Sequence, residues 1–235
     1  MANRPVFVSV DKKPYVETVN TDFVFYSGFA LSQAQKSICS LHSAFELTHK
    51  GYDGKILEIS SKSMDMLGSQ LSAFNLMSYL SDGSKHSVET IYQASKCFDN
   101  GCQYLDLLNK SSYDAKRDER LHTSGDVIAF RLEGVEFPIK PVTFFYNWLY
   151  INAVNQNPGL AQQIVQFSAF TDIAFNPAKS LNCQARSVAI YVGLVMNSRL
   201  QSALQSPSAF YEEVYAPTDA NLTDDSGHQL SIWEL

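Results

Sequence analysis

The stretch SVETIYQASK, from Ser87 to Lys96, decides how the rest of the chain is read. Ser87 stands where a helix N-cap belongs, and the spacing predicts a short helix from Ser87 to Phe98. Val88, Ile91 and Ser95 point to one part of its surface. Glu89 and Gln93 are four residues apart, and Gln93 and Lys96 three, so all three share a stripe with Tyr92 beside it. Spacing alone favours a solvated charged face, because charged helix stripes usually meet water. The alternative is a helix that presents a carboxylate, an amide and an amine to a pocket. Inside a pocket a carboxylic acid titrates higher and an amine lower, which suits proton transfer and nucleophilic attack near neutral pH.

Outward from this stretch the chain alternates between strand and helix signals. Val6, Val8 and Val10 share one strand face, and DFVFY (22–26) is rich in strand formers. SQAQKSICSLHSAFELTHK (32–50) carries an apolar stripe of Ile38, Leu41 and Phe45, so it reads as a helix that ends at Gly51 and Gly54. KILEIS (55–60) reads as a strand. MDMLGSQLSAFNLMSYL (64–80) reads as helix, turn, helix before the polar loop SDGSK. A further helix starts at Ser111 or Ser112, and DVIAFRLEGVEFPIK (126–140) folds as short strands about Gly134. Pro141 opens a long aromatic helix, Asn157-Pro158 starts another, and the last runs from about Leu181 to Leu200. No repeat or linker interrupts this order. The expectation is one α+β domain over residues 1–235, helix-rich with a small β-sheet. Its core spans about 23–200, with 201–235 as a C-terminal extension whose closing SIWEL docks back.

Composition narrows the classes. The chain has 235 residues, of which 45% are hydrophobic, enough for a sizeable core. Charged residues make up 18% and the net charge is -6, so a general phosphate-binding coat is excluded. The four cysteines, Cys39, Cys97, Cys102 and Cys183, have no metal-ligand spacing and read as reduced thiols. The N-terminus has no signal-peptide pattern, and the most apolar run, SVAIYVGLVM (187–196), is too short to span a bilayer. A soluble, cytoplasmic protein with no membrane contact is expected.

Other clusters carry weaker signals. FTDIAFNPAKSLNCQARS (170–187) holds Asp172, Asn176, Asn182 and Gln184, of which the Asn-Pro pair and Asn182 have ready structural roles as turn and cap. AKRDERL (115–121) brings Lys116, Arg117 and Arg120 together, but the interleaved Asp118 and Glu119 favour an exposed salt-bridged face. FFYNWLY (144–150) suits a buried helix, and Trp148 or Tyr146 could alternatively wall a base or sugar. Phosphate loops, dinucleotide fingerprints, zinc-protease and nucleophile-elbow motifs are absent, and the five histidines show no ligand spacing. No metal or cofactor is expected.

In their order, LSAFNL, SVETIYQASKCF, SSYDAKRDERL, the Trp helix and a late Asp-containing segment resemble the NADAR family, the YbiA-like N-glycosidases. GFALSQAQKSI, ILEISSKS, FYNWLYINAV and FTDIAFNPAKSLNCQARSVAIY are similar to the branch paired with DarT toxins. Three positions depart from the family pattern. Thr90 stands where the family has His, Asp118 to Arg120 replaces a Gly-Arg, and FNPAKSLNCQARS stands where a Trp-Gly signature follows the late acid.

The resemblance implies hydrolysis of an N-glycosidic bond to ribose, here removal of ADP-ribose from guanine in DNA, by an antitoxin or a phage counter-defence enzyme. It implies ADP-ribosylated single-stranded DNA, ADP-ribose and a cognate DarT-type toxin as partners. Lys96 and Glu89 are the implied catalytic pair. Ser72 and Asn75 would bind ribose hydroxyls, Tyr92 and Trp148 would stack, and Gln93 would orient Glu89. Arg117 or Arg120 would meet the diphosphate, and Asp172 and Asn176 would orient hydroxyls or water. The alternatives are a YbiA-like glycosidase acting on riboflavin-pathway intermediates and a non-catalytic module that binds ADP-ribose or the toxin.

Overall fold

The computed structural model describes residues 1–50, 52, 54–178 and 180–217. The chain begins with a hairpin of β1 (Ala2–Ser9) and β2 (Val16–Phe23), in register from Ala2↔Phe23 to Ser9↔Val16. Helix α1 (Leu31–Thr48) follows, then β3 (Ile56–Glu58), α2 (Met66–Gln70) and a small hairpin of β4 (Met77–Tyr79) with β5 (Lys85–Ser87). Next come α3 (Val88–Ala94), β6 (Lys96–Phe98), a 3-10 turn at Leu105–Asn109, α4 (Ser112–Lys116) and α5 (Arg120–Thr123). Strands β7 (Val127–Leu132) and β8 (Val135–Pro138) form a hairpin and lead to α6 (Phe144–Asn155) and α7 (Pro158–Ile164). The chain returns as β9 (Ala169–Thr171) and continues through α8 (Gln184–Met196), α9 (Leu200–Ala203) and α10 (Pro207–Val214). The protein is a mixed α+β single domain.

The main sheet has the order β2-β1-β9-β3, with β3 parallel to β9 and the other neighbours antiparallel. Alternation along β1 sends Val6 to one face and Phe7 to the other, and both are buried. Val6, Phe23 and Ala169 pack under Ile38, Leu41 and Phe45 of α1, the stripe its sequence displays. Phe7, Leu57 and Phe170 join Val188 and Ala189 of α8 in the larger cluster on the opposite face. That cluster continues through α6 to Leu200, Ala203, Phe210 and Val214, so apolar packing extends beyond residues 23–200 at both ends. Each fully buried Phe or Leu of this kind contributes on the order of 1.5–3 kcal/mol. SIWEL lies outside the described residues. Among the described residues no helix is long and apolar enough to cross a membrane.

Several boundaries differ from the sequence expectation. The second strand lies earlier than DFVFY, and Val24, Phe25 and Tyr26 are exposed beyond its end. The helix expected near residue 77 is strand β4. A three-residue segment such as Met77–Tyr79 has no decisive period, and the turn with Gly83 in the left-handed region (φ 82) folds it back on β5. The helix expected to reach Phe98 stops at Ala94, because the Ser95 carbonyl accepts from Arg131 N at 2.7 Å and draws the chain into the sheet β6-β7-β8. Lys96 is therefore the first residue of a strand. Glu133 (φ 49) and Gly134 (φ 81) close the β7–β8 hairpin in the left-handed pair that a two-residue turn requires. Helices α9 and α10 were not anticipated; their short 200–214 segment has too few turns for a clear period.

Candidate functional site

The site is built where the turn after α2 meets the start of α3. Gly68 lets α2 pack closely on β3: a Cβ there would lie 2.0 Å from the Glu58 carbonyl oxygen. The turn it leads into is joined to α3 by backbone bonds, Glu89 N to Ala73 O and Val88 N to Leu76 O, both 2.9 Å. Ser87 caps the helix, its hydroxyl accepting from Thr90 N at 3.1 Å. Thr90 is buried and spends its own hydroxyl on the Ser87 carbonyl at 2.9 Å.

Glu89 and Gln93 are buried, at 5% and 6% exposure, so the stripe is not a solvated face. Gln93 Nε2 donates to Glu89 Oε1 at 2.8 Å, while Gln93 Oε1 is buried without a partner. Lys96 is half-buried, its Nζ 5.3 Å from the centre of the Tyr92 ring. It forms no ion pair among the described residues. Its pKa is lowered chiefly by burial; the Glu89 charge opposes this and the Lys116 charge adds to it. Tyr92 lies among Phe130, Phe145 and Tyr146, and Asn182 Nδ2 donates to its hydroxyl at 2.8 Å. Burial, with help from the Glu89 charge, pushes the Tyr92 hydroxyl up to about 12, so it stays protonated.

Two of these residues were outside the expected set. Lys116 Nζ stands 3.9 Å from Glu89 Oε2 and 5.1 Å from the centre of the Phe74 ring. It is delivered by α4, whose Ser112 Oγ lies 2.8 Å from both Phe74 O and Ser87 Oγ. Its signal in the sequence was masked by the charges around it. Asn182 has the residue type of a cap, yet Cys183 holds the N-cap position of α8, and no side-chain cap bond forms there.

The other expected residues occupy varied positions. Ser72 is buried in the turn, its carbonyl accepting from Asn75 N and Leu76 N at 2.8 Å. Asn75 is exposed and donates its amide to Ser69 O at 2.9 Å. The Trp148 indole packs against Phe137 and Phe210, so the α6 rings that meet Tyr92 are Phe145 and Tyr146. Arg117 is exposed and stacked at 4.0 Å over Tyr113. Arg120 already holds Asp106 at 2.7 Å and Asp118 at 2.8 Å, which leaves its guanidinium committed to carboxylates. Asn176 Oδ1 accepts from Ala178 N at 3.1 Å and shapes a turn.

Asp172 reaches the site through a relay. Its carboxylate accepts from Ala174 N at 3.0 Å and meets the Gln184 side chain. Gln184 accepts from Ala73 N at 2.7 Å and donates to Ile59 O at 2.6 Å. Behind it, the buried Glu58 takes hydrogen bonds from Ser60 and Thr171 (2.6 Å each) and from Ile173 N (2.9 Å). Burial raises both carboxyls, and for Asp172 the Glu58 charge adds to it. No group of metal-ligating side chains occurs among the described residues.

The arrangement joins an acid, an amine whose pKa burial lowers, and an aromatic wall at one helix end. Comparison with curated proteins finds no match to this chain. The model of the DarT1-associated NADAR antitoxin family matches residues 2–223, nearly the full length, and the chain belongs to that family.

Proposed function

We propose that this antitoxin is an N-glycosidase that removes ADP-ribose from the exocyclic amine of guanine in single-stranded DNA, reversing the action of a DarT-type toxin. The observation that carries the reading is a buried Glu89 whose charge acts on a half-buried Lys96, an amine whose ammonium form burial disfavours. A modified guanine must leave the base stack to be reached, so single-stranded or flipped DNA suits the site. A net charge of -6 suits it too, since recognition then rests on ADP-ribose and not on a phosphate track.

The bond to be broken joins C1′ of ribose to the guanine amine nitrogen. The nitrogen lone pair expels the ring oxygen, which takes a proton from solvent, and C1′ becomes an imine carbon. The Lys96 amine adds to that carbon and gives a proton to the Glu89 carboxylate. Glu89 then passes that proton to the guanine nitrogen, which leaves as the restored base, and Lys96 retains ADP-ribose as a protonated Schiff base. Water adds to this Schiff base, Lys96 departs, and the aldehyde recloses to free ADP-ribose. Gln93 holds the Glu89 carboxylate in place. Tyr92 supplies a face for a base or sugar, and Ser72 and Asn75 lie on the turn that is joined to the start of α3. A directly attacking water with Glu89 as general acid would give the same products without the Lys96 adduct.

The test is release of ADP-ribose from a single-stranded oligonucleotide carrying ADP-ribosyl-guanine. Wild type should release it, and Glu89→Ala and Lys96→Ala should not. Failure of the wild type to release it overturns the reading and leaves a small-metabolite glycosidase or a binding module.

A further inference from the structure

Lys116 has no part in the chemistry above, yet the fold takes trouble to place it. Ser111 caps α4, accepting from Asp114 N at 3.1 Å, and Ser112 ties the same turn to Phe74 O and to the cap of α3. Lys116 sits four residues after Ser112, on the same helix face, and so arrives over the start of α3. There its Nζ is 3.9 Å from Glu89 Oε2, while Gln93 holds the other carboxylate oxygen at 2.8 Å. The side chain is 57% exposed, so it is not a core contact.

The charges around Lys96 make this placement meaningful. On α3 it faces Glu89, whose negative charge favours a Lys96 ammonium and so works against a nucleophilic amine. From α6 comes Tyr146, whose hydroxyl burial keeps protonated, as it does that of Tyr92 on α3. On β7, Lys96 is in register with the uncharged Phe130, and the next residue, Arg131, gives its guanidinium to Glu136 at 2.8 Å. Lys110, Arg120, Asp106 and Asp118 pair with one another. Among the described residues, Lys116 is the cation within ion-pair distance of Glu89.

We propose that Lys116 is a positioning residue that sets the proton balance of the site: it pairs with the Glu89 carboxylate and, by like-charge repulsion, keeps Lys96 as the free amine. This rests on the reading of Lys96 as the nucleophile. It assigns Lys116 no contact with the reacting atoms. Because Lys116 is more than half exposed, solvent screens its charge, and the expected effect is modest.

The experiment compares wild type, Lys116→Met and Lys116→Arg by the pH dependence of kcat on the ADP-ribosyl-guanine oligonucleotide. The acid limb should move up by about half a pH unit in Lys116→Met, return toward wild type in Lys116→Arg, and leave KM unchanged. The shift should shrink in high salt. A raised KM with an unmoved limb would make Lys116 a phosphate contact instead and overturn the inference. An unmoved limb with unchanged KM would overturn it as well. A second measurement needs no turnover: the titration midpoint of Lys96 in the free protein, followed by its side-chain ¹³Cε shift. It should rise in Lys116→Met, and an unchanged midpoint contradicts the proposal. Inactivity of the wild type would strike the proposed function alone, since this titration still decides the role of Lys116.

Discussion

Gln93 Nε2 donates to Glu89 Oε1 at 2.8 Å across one turn of α3, and both side chains are buried. A buried carboxyl group held at one oxygen by an amide, and approached at the other by Lys116, has a fixed direction. That is what a proton donor and acceptor at a reacting nitrogen needs.

Glu89→Gln keeps the shape of this pair and removes the ionisable group. We expect kcat to fall by about 10²–10⁴-fold, the usual contribution of a general acid–base. Thermal melting should show a stability close to that of wild type. A Glu89→Gln protein with wild-type turnover would remove Glu89 from the chemistry.

The Tyr92 hydroxyl and the Asn182 amide support each other. Asn182 Oδ1 is already buried without a partner, so Tyr92→Phe leaves the amide unsatisfied at both ends. The cost should be about 1–2 kcal/mol in urea denaturation. A double-mutant cycle with Asn182→Ala should show coupling of about 1 kcal/mol. Strict additivity would mean that the pair does not cooperate in the folded protein.

Stability should depend on pH through Asp172. Its folded pKa is raised from 3.8 to about 8, by burial first and by the Glu58 charge next. The folded state thus holds a proton that the unfolded chain has lost, and stability declines as pH rises from about 4 through about 8. His42, which contacts Thr171 Oγ1 at 2.8 Å, acts in the opposite sense. Burial lowers its pKa from 6.5 to about 4, so its contribution is lost as pH falls through that window. Asp172→Asn isolates the first effect: the decline above pH 6.5 should be smaller than in wild type when both are unfolded in urea. Parallel pH profiles would contradict this assignment.

Long periodic segments carried their own structure. The stripe of Ile38, Leu41 and Phe45 placed α1, and Asn157-Pro158 placed the start of α7. Gly134 marked the break between two short strands, which pair as the β7–β8 hairpin. The three-residue strands β4 and β6 were not legible, because their conformation is set by partners distant in sequence: Lys85–Ser87 for one, and Val127–Leu132 for the other. The stripe in SVETIYQASK was visible, but its burial was not. Spacing shows which residues share a face, and only the turn at Ala73 and the arrival of α4 show that this face is covered. For the same reason Lys116 and Asn182 read as a surface charge and a cap and not as part of the site, as each reaches α3 from another element. The DarT-branch resemblance agrees with the family match over residues 2–223.

The central claim is that Lys96 attacks the sugar carbon, with Glu89 moving the proton. The most direct measurement is borohydride trapping during turnover of the ADP-ribosyl-guanine oligonucleotide, followed by mass mapping of the protein. The account predicts one ADP-ribosyl adduct, on Lys96, absent from Lys96→Ala. Continued release of ADP-ribose with no adduct on Lys96 would contradict it.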